Sequence, residues 1–321
     1  MLRRTLGLHL ISIQQEGGGH FYLLPESQRM ISYNPKKWVR FIFNFHKADT
    51  VRKMFPLLVG MAVYSFAVAY VETEVLQLSV NSYLKNVSIL HTLLGFAISM
   101  LLVFRTNTAY DRWWEGRRQW GALVNSSRNL AVKLSSFLPP TDPQRTLFAQ
   151  LIPTFALELK NHLQSEETSW QLDERPHPEI PNFNRNGHVP NQVVVNMMAQ
   201  VQTLHKNKIL SGELLLFINP EITSFLDICG ACERIKNTPI PYSYSVFIKK
   251  FIFLYVLSLP IGLVFSLGYL VIPVVVFVFY VLGSLELIAE EIEEPFGKDA
   301  NDLPMQRICD NIRRNVAEIL A

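Results

Sequence analysis

Long uncharged runs alternate with charged, helix-periodic stretches along this chain. Phe55–Val71 and Val87–Phe104 each lack Asp, Glu, Lys and Arg. The run from Phe251 to Leu285, FIFLYVLSLPIGLVFSLGYLVIPVVVFVFYVLGSL, lacks them too. As one helix that run would measure roughly 50 Å, against a bilayer core of roughly 30 Å. It therefore reads as two spans folded back at Ser266–Tyr269, where Gly268 permits the turn. Either of the shorter runs could be a buried helix of a soluble core, but the last is too long for that. The expected fold class is an all-α integral membrane protein with transmembrane helices at 55–71, 87–104, 251–266 and 269–285.

Beyond Phe104 the text changes abruptly to RTNTAYDRWWEGRRQWG. Tyr110, Trp113, Trp114, Trp120, Leu123 and Val124 fall on a helical stripe opposite Arg112, Glu115, Arg118 and Gln119. The second span is thus expected to run on as a cytosolic helix to about residue 137, where Pro139-Pro140 ends it. Residues 143–245 read as a helical cytosolic region: helices at 143–163, 193–204 and 222–235, a proline-rich loop at 175–190, and an interruption at Asn219-Pro220. A C-terminal cytosolic segment, 286–321, holds an amphipathic helix from Met305 to Leu320. Residues 1–29, Gly-rich and patternless, read as a disordered or mis-started leader with Met30 as the working start; residues 30–54 form a cytosolic N-terminal segment.

Charge placement sets the orientation. Lys36, Lys37, Arg40, Lys47, Arg52 and Lys53 precede the first span, Arg105, Arg112, Arg117 and Arg118 follow the second, and Lys249 and Lys250 precede the third. The loop between spans one and two offers only Lys85. Both termini and the middle region are therefore expected in the cytoplasm, with the chain in the cell inner (plasma) membrane. A net charge of +3, from 30 basic and 27 acidic residues, is too small for a nucleic-acid binder. The eight histidines lack metal-protease spacing, and Cys229-Gly-Ala-Cys232 has no second pair. At helical spacing those two thiols read as sharing a buried face. Nothing here composes an enzyme. The spans carry no charge of the kind that couples pumps, which favours a passive channel with an apolar constriction.

LLVFRTNTAYDRWWEGRRQWGALVNSSR (101–128), CERIKNTPIPYSYSVF (232–247) and EEIEEPFGKDANDLP (290–304), in this order and spacing, resemble the bestrophin family in its bacterial branch. The resemblance implies a homopentameric ion channel in the lipid bilayer, with the second span of each subunit lining a neck on the fivefold axis. Carried over residue by residue, the neck is Phe96, Met100 and Phe104, which at i, i+4 and i+8 share one helix face. A second, cytosolic constriction falls at Leu214 or Glu213, with Leu214 preferred. Arg105 and Arg112 are expected as inner-mouth charges that concentrate anions, and Glu72 and Glu74 as outer-mouth acids that attract cations. Animal members bind calcium after Pro-Phe-Gly; here Asp299 and Asp302 hold matching positions, but Lys298 beside them weakens any such site. No cofactor is expected to be required, with weak calcium binding at most. The implied activity is passive passage of chloride or similar small monovalent anions. A sodium or potassium channel of the same architecture is the alternative, and a membrane-anchored scaffold without transport the third.

Overall fold

The computed structural model describes residues 49–77, 87–165, 187–299 and 301–321. The leader at 1–29, the N-terminal segment as far as residue 48, the loop at 78–86 and the proline-rich loop as far as residue 186 lie outside the described residues. What is described is helical, with no strand among the described residues. In chain order the α-helices are α1 (Asp49–Tyr70, extended by a π-turn at Val71–Val75), α2 (Val87–Phe137), α3 (Pro143–Gln164), α4 (Val189–Lys206), α5 (Gly212–Asn237), α6 (Tyr242–Ser258), α7 (Pro260–Leu267), α8 (Val271–Glu293) and α9 (Met305–Leu320).

Two apolar cores share α2 as their common spine. The first gathers Met54 and Met61 of α1, Ile98 and Leu102 of α2, Ile248, Ile252 and Val256 of α6, and Val275 and Phe279 of α8. The second gathers Trp120, Leu123, Leu130 and Leu134 of α2 with Phe148 and Phe155 of α3, Met197 of α4, Phe225 of α5 and Ile312 of α9. Helix α2 has 51 residues and, at about 1.5 Å per residue, spans roughly 75 Å.

Four stretches are long and apolar enough to cross a membrane: Thr50–Val75, Ile89–Phe137, Gly212–Asn237 and Tyr242–Glu293. The last of them reverses at Gly268, whose φ of 54° is a conformation that glycine adopts without steric cost. It therefore forms two antiparallel arms, α6–α7 and α8. Helix α5 qualifies on composition alone, yet its apolar residues Ile218, Ile222 and Phe225 are buried in the second core, shared with α2, α3, α4 and α9.

Two sequence expectations need correction. Pro220 does not interrupt a helix, because α5 runs through it from Gly212 to Asn237. Proline disturbs the carbonyls of the turn before it, and Lys133 of α2 supplies a replacement donor there, its Nζ lying 2.8 Å from the Phe217 carbonyl. Nor do Tyr110 and Trp114 belong to the packed stripe of α2: both are exposed, while Ala109, Trp120 and Leu123 are buried. The rest of the expected stripe, Trp113, Trp120, Leu123 and Val124, does pack into or against the second core.

Candidate pore helix and its anchoring

Successive residues of α2 turn by about 100°, so Ile98, Leu102, Arg105, Ala109, Trp120 and Leu123 form one inward line. All of these are buried. Opposite them lie Phe96, Met100 and Phe104, with 71%, 44% and 57% of their surfaces exposed. The same outward line continues below Phe104 through Asn107, Asp111, Trp114 and Arg118, all exposed. The outer face of α2 is thus apolar for three turns and then polar, carrying an acid before a base.

Arg105 does not present its charge at a mouth, as was expected; it is 1% exposed. Its Nη1 lies 2.7 Å from Glu293 Oε2, and its Nε donates to Glu286 Oε1 at 3.4 Å. Both acids stand on one face of α8, seven residues apart. A buried guanidinium needs such partners, because an uncompensated charge in the interior is prohibitively costly. Arg112, also expected as a mouth charge, is half-buried and bonded to helix ends instead. It donates to the carbonyls of Ile235 (2.6 Å) and Thr238, at the end of α5, and of Glu293 (3.1 Å), at the end of α8. A cation at two helix C-termini satisfies their orphan carbonyls and meets the negative ends of their dipoles. Glu293 Oε1 also accepts the Ile240 N–H at 2.8 Å, fixing the α5–α6 link. Around this knot Lys53 pairs with Glu291 and Lys249 with Glu290, each at 2.9 Å. The start of α1, the middle of α2, the start of α6 and the end of α8 therefore meet at one level. The acidic end of α8 is in part a buried ionic joint. On the far side Glu72 is buried as well, and only Glu74 is exposed.

At the start of α5, Leu214 packs against the second core and Glu213 is exposed. Ser211 caps this helix, its hydroxyl accepting the Leu214 N–H. The exposed apolar side chains here are Leu216 and Phe217, whereas the preferred Leu214 is partly buried. A leucine-rich first turn offered several registers, and only the packing separates them.

Asp299 and Asp302 lie in the turn between α8 and α9. Asp302 is buried and its Oδ2 accepts the Asp299 N–H at 2.6 Å, closing a tight turn. A Cβ on Gly297 would stand 2.6 Å from that same oxygen, so the turn requires glycine there. Asp299 itself is exposed. Nearby, Asn301 donates to Glu291, which is held by Lys53. Calcium takes six to eight converging oxygens; here one oxygen of the Asp302 carboxylate accepts the Asp299 N–H, while its Oδ1 is buried without a hydrogen-bond partner. Burial pushes the Asp302 carboxyl up to about 7, against the opposing pull of the Asp299 N–H. A carboxyl raised in the folded state contributes stability that is fully present below the unfolded value near 4 and is lost as pH rises through about 7. Asp302→Asn should therefore flatten the fall in melting temperature across that window, by an amount equivalent to at most about 4 kcal/mol. Thermal unfolding of the detergent-solubilised protein at several pH values reads this directly.

The profile of the Bacterial/Fungal Bestrophin protein family matches residues 30–318. The chain belongs to the bestrophin family. That membership places it among channel-forming proteins rather than enzymes. A voltage-dependent anion channel-forming protein of Nostoc sp. is 35% identical over 233 residues, covering 70% of this chain and 75% of the relative. The voltage-dependent anion channel-forming protein YneE of Escherichia coli K12 is 30% identical over 294 residues, covering 90% of this chain and 94% of the relative. In three dimensions the bestrophin resembles a point-mutant crystal structure of a bacterial bestrophin homologue from Klebsiella pneumoniae. The TM-score is 0.71 at 27% identity, over 83% of this chain and 98% of that one.

Glu286 and Glu293 were not singled out from the bestrophin's sequence. Their signal was there: two acids at helical spacing on the arm that must pack beside Arg105. Cys229 and Cys232 are buried and free, as the shared-face reading expects.

Proposed function

We propose that five copies of this bestrophin surround a pore lined by α2, with Phe96, Met100 and Phe104 as its neck, and that small monovalent anions of the chloride type pass through it down their gradient. The observation that carries this reading is the outward stripe of α2. Its apolar residues contribute to neither core of their own subunit, and the ionic joint at Arg105 fixes the helix's rotation about its axis. The names of the Nostoc and Escherichia coli relatives support the anion assignment. The membrane is taken as the plasma membrane, with the Arg105 level and both termini on the cytoplasmic side, from the excess of Lys and Arg there.

Stripping an ion of its water in an apolar constriction costs on the order of 20 kcal/mol in the idealised limit. Conduction therefore requires a hydrated neck, and closure is its dewetting. Phenylalanine edges carry partial positive charge and faces partial negative charge, so edge-on rings at Phe96 and Phe104 favour an anion.

A cation-conducting pore is the second reading, and a specific feature favours it. The first charged side chain below the neck on the outward stripe is Asp111, repeated in each subunit, and Arg118 follows only two turns later. Planar-bilayer recording under asymmetric potassium chloride separates the two. The anion reading expects a reversal potential near the chloride equilibrium value. Asp111→Asn should move the potential further toward chloride in either case, because it removes a ring of negative charge within about one Debye length of the neck. A wild-type reversal potential at the potassium value would overturn the anion assignment while leaving the architecture standing.

A further inference from the structure

Helices α3, α4 and α5 meet at a side-chain cluster that conduction does not use. His162 lies in the last turn of α3, His188 caps the start of α4, and Glu233 stands near the end of α5. Nε2 of His162 lies 2.7 Å, and Nε2 of His188 2.5 Å, from the same atom, Glu233 Oε1. The ring centroids are 4.6 Å apart. All three donor atoms fall within 4.8 Å of one another, although they come from distant parts of the chain.

Two imidazoles resting on a carboxylate could be an ordinary hydrogen-bonded cluster. Here, however, both rings aim the same nitrogen at one point, and each ligand comes from a different helix. Two histidines and one carboxylate are a recurrent donor set for zinc, with a fourth position left to water. Burial holds the His162 imidazole below its ordinary pKa, so it is neutral near pH 7, the form that binds a metal.

We infer that His162, His188 and Glu233 form a binding site for a zinc-class divalent ion that ties α3, α4 and α5 together. Each imidazole nitrogen now stands closer to Glu233 Oε1 than a tetrahedral ion would hold it. Bonds of about 2.0–2.1 Å place neighbouring ligand atoms roughly 3.3 Å apart, so each must draw back from Glu233 Oε1 by less than about 1 Å. One tautomer must also change. His188 Nδ1 accepts the Asn191 N–H at 3.2 Å, which leaves its proton on Nε2 facing Glu233. Binding through Nε2 moves that proton to Nδ1 and gives up this long capping bond. Lys236 is the neighbouring cation, and its ammonium is held by the carbonyls of His162 (3.2 Å) and Ser165 (2.9 Å). Cys229 and Cys232 of α5 are buried one turn or less from Glu233 along the helix.

The test uses the full-length, tag-free protein in detergent, stripped with chelator and titrated with zinc, then with cobalt(II). One ion per subunit should bind, with cobalt absorption of the nitrogen–oxygen type. His162→Gln and Glu233→Gln should each weaken binding by at least about tenfold, the lower end of what even supporting residues of metal sites contribute. His188→Asn should do the same while keeping an α4 cap, because asparagine is a good N-cap residue. Zinc should raise the melting temperature of the wild type and not that of His188→Asn. The inference is overturned by the absence of saturable binding, by an affinity that none of the three substitutions changes, or by a thiolate-to-cobalt band that assigns the ion to Cys229 and Cys232. Conduction in bilayers is a separate readout, so failure here leaves the pore reading untouched.

Discussion

Replacing Arg105 with methionine is expected to destabilise the protein by about 3–5 kcal/mol, the usual cost of breaking a buried ion pair from one side. The guanidinium sits where the two cores of the subunit join, between Glu286 and Glu293 of α8. Removing it leaves two acids facing each other in a closed space, and Glu286 Oε2 already lacks a hydrogen-bond partner. The remedy should be apolar. Combining Arg105→Met with Glu286→Leu and Glu293→Gln removes the stranded charges and keeps an acceptor for the Ile240 N–H. Most of the lost stability should then return, since well-packed apolar replacements of buried ion clusters are often neutral. Melting temperatures of the purified variants, read by tryptophan fluorescence, check both parts. A single variant as stable as the wild type would mean that Arg105 does not anchor α2.

Phe104→Ala is expected to raise single-channel conductance by roughly tenfold, equivalent to lowering a barrier by about 1.4 kcal/mol. The change acts once per subunit, so in the proposed fivefold arrangement five rings leave a single level of the pore. An alanine ring is wider and wets more readily than a phenylalanine ring. Assembly should be unaffected, because the Phe104 side chain belongs to neither core. Phe96→Ala should act in the same direction from the other end of the neck, and the double variant should conduct more than either. Single-channel recording with mass measurement of the same preparations separates conductance from assembly. Unchanged conductance in an intact assembly would remove Phe104 from the ion path.

Much of this protein is written in its hydrophobic pattern. The 35-residue uncharged run with Gly268 at its middle is too long for one span and so specifies two antiparallel arms. The continuity of α2 was legible too, since nothing between Val87 and Phe137 breaks a helix: the stretch contains no proline. Less legible were features set by partners far along the chain. Arg105 at the end of an apolar run looks the same whether it faces water or two glutamates 181 and 188 positions away. Pro220 reads as a break until Lys133 supplies a donor to the Phe217 carbonyl. Leu214 and Leu216 are chemically alike, so sequence cannot rank them, whereas packing turns one inward and the other out. The His162–His188–Glu233 cluster had no spacing signature because its members sit on three helices.

The central claim is that the face of α2 carrying Phe96, Met100 and Phe104 borders the ion path. Thiol-reagent block of single cysteine variants tests it most directly, and the native thiols of Cys229, Cys232 and Cys309 are all buried, with that of Cys309 pushed up by burial to about 12. Met100→Cys and Phe104→Cys should lose current when a charged, water-soluble reagent is added. Phe277→Cys, exposed on α8, should not. Block at Phe277→Cys alone, with both α2 variants indifferent, would contradict the account.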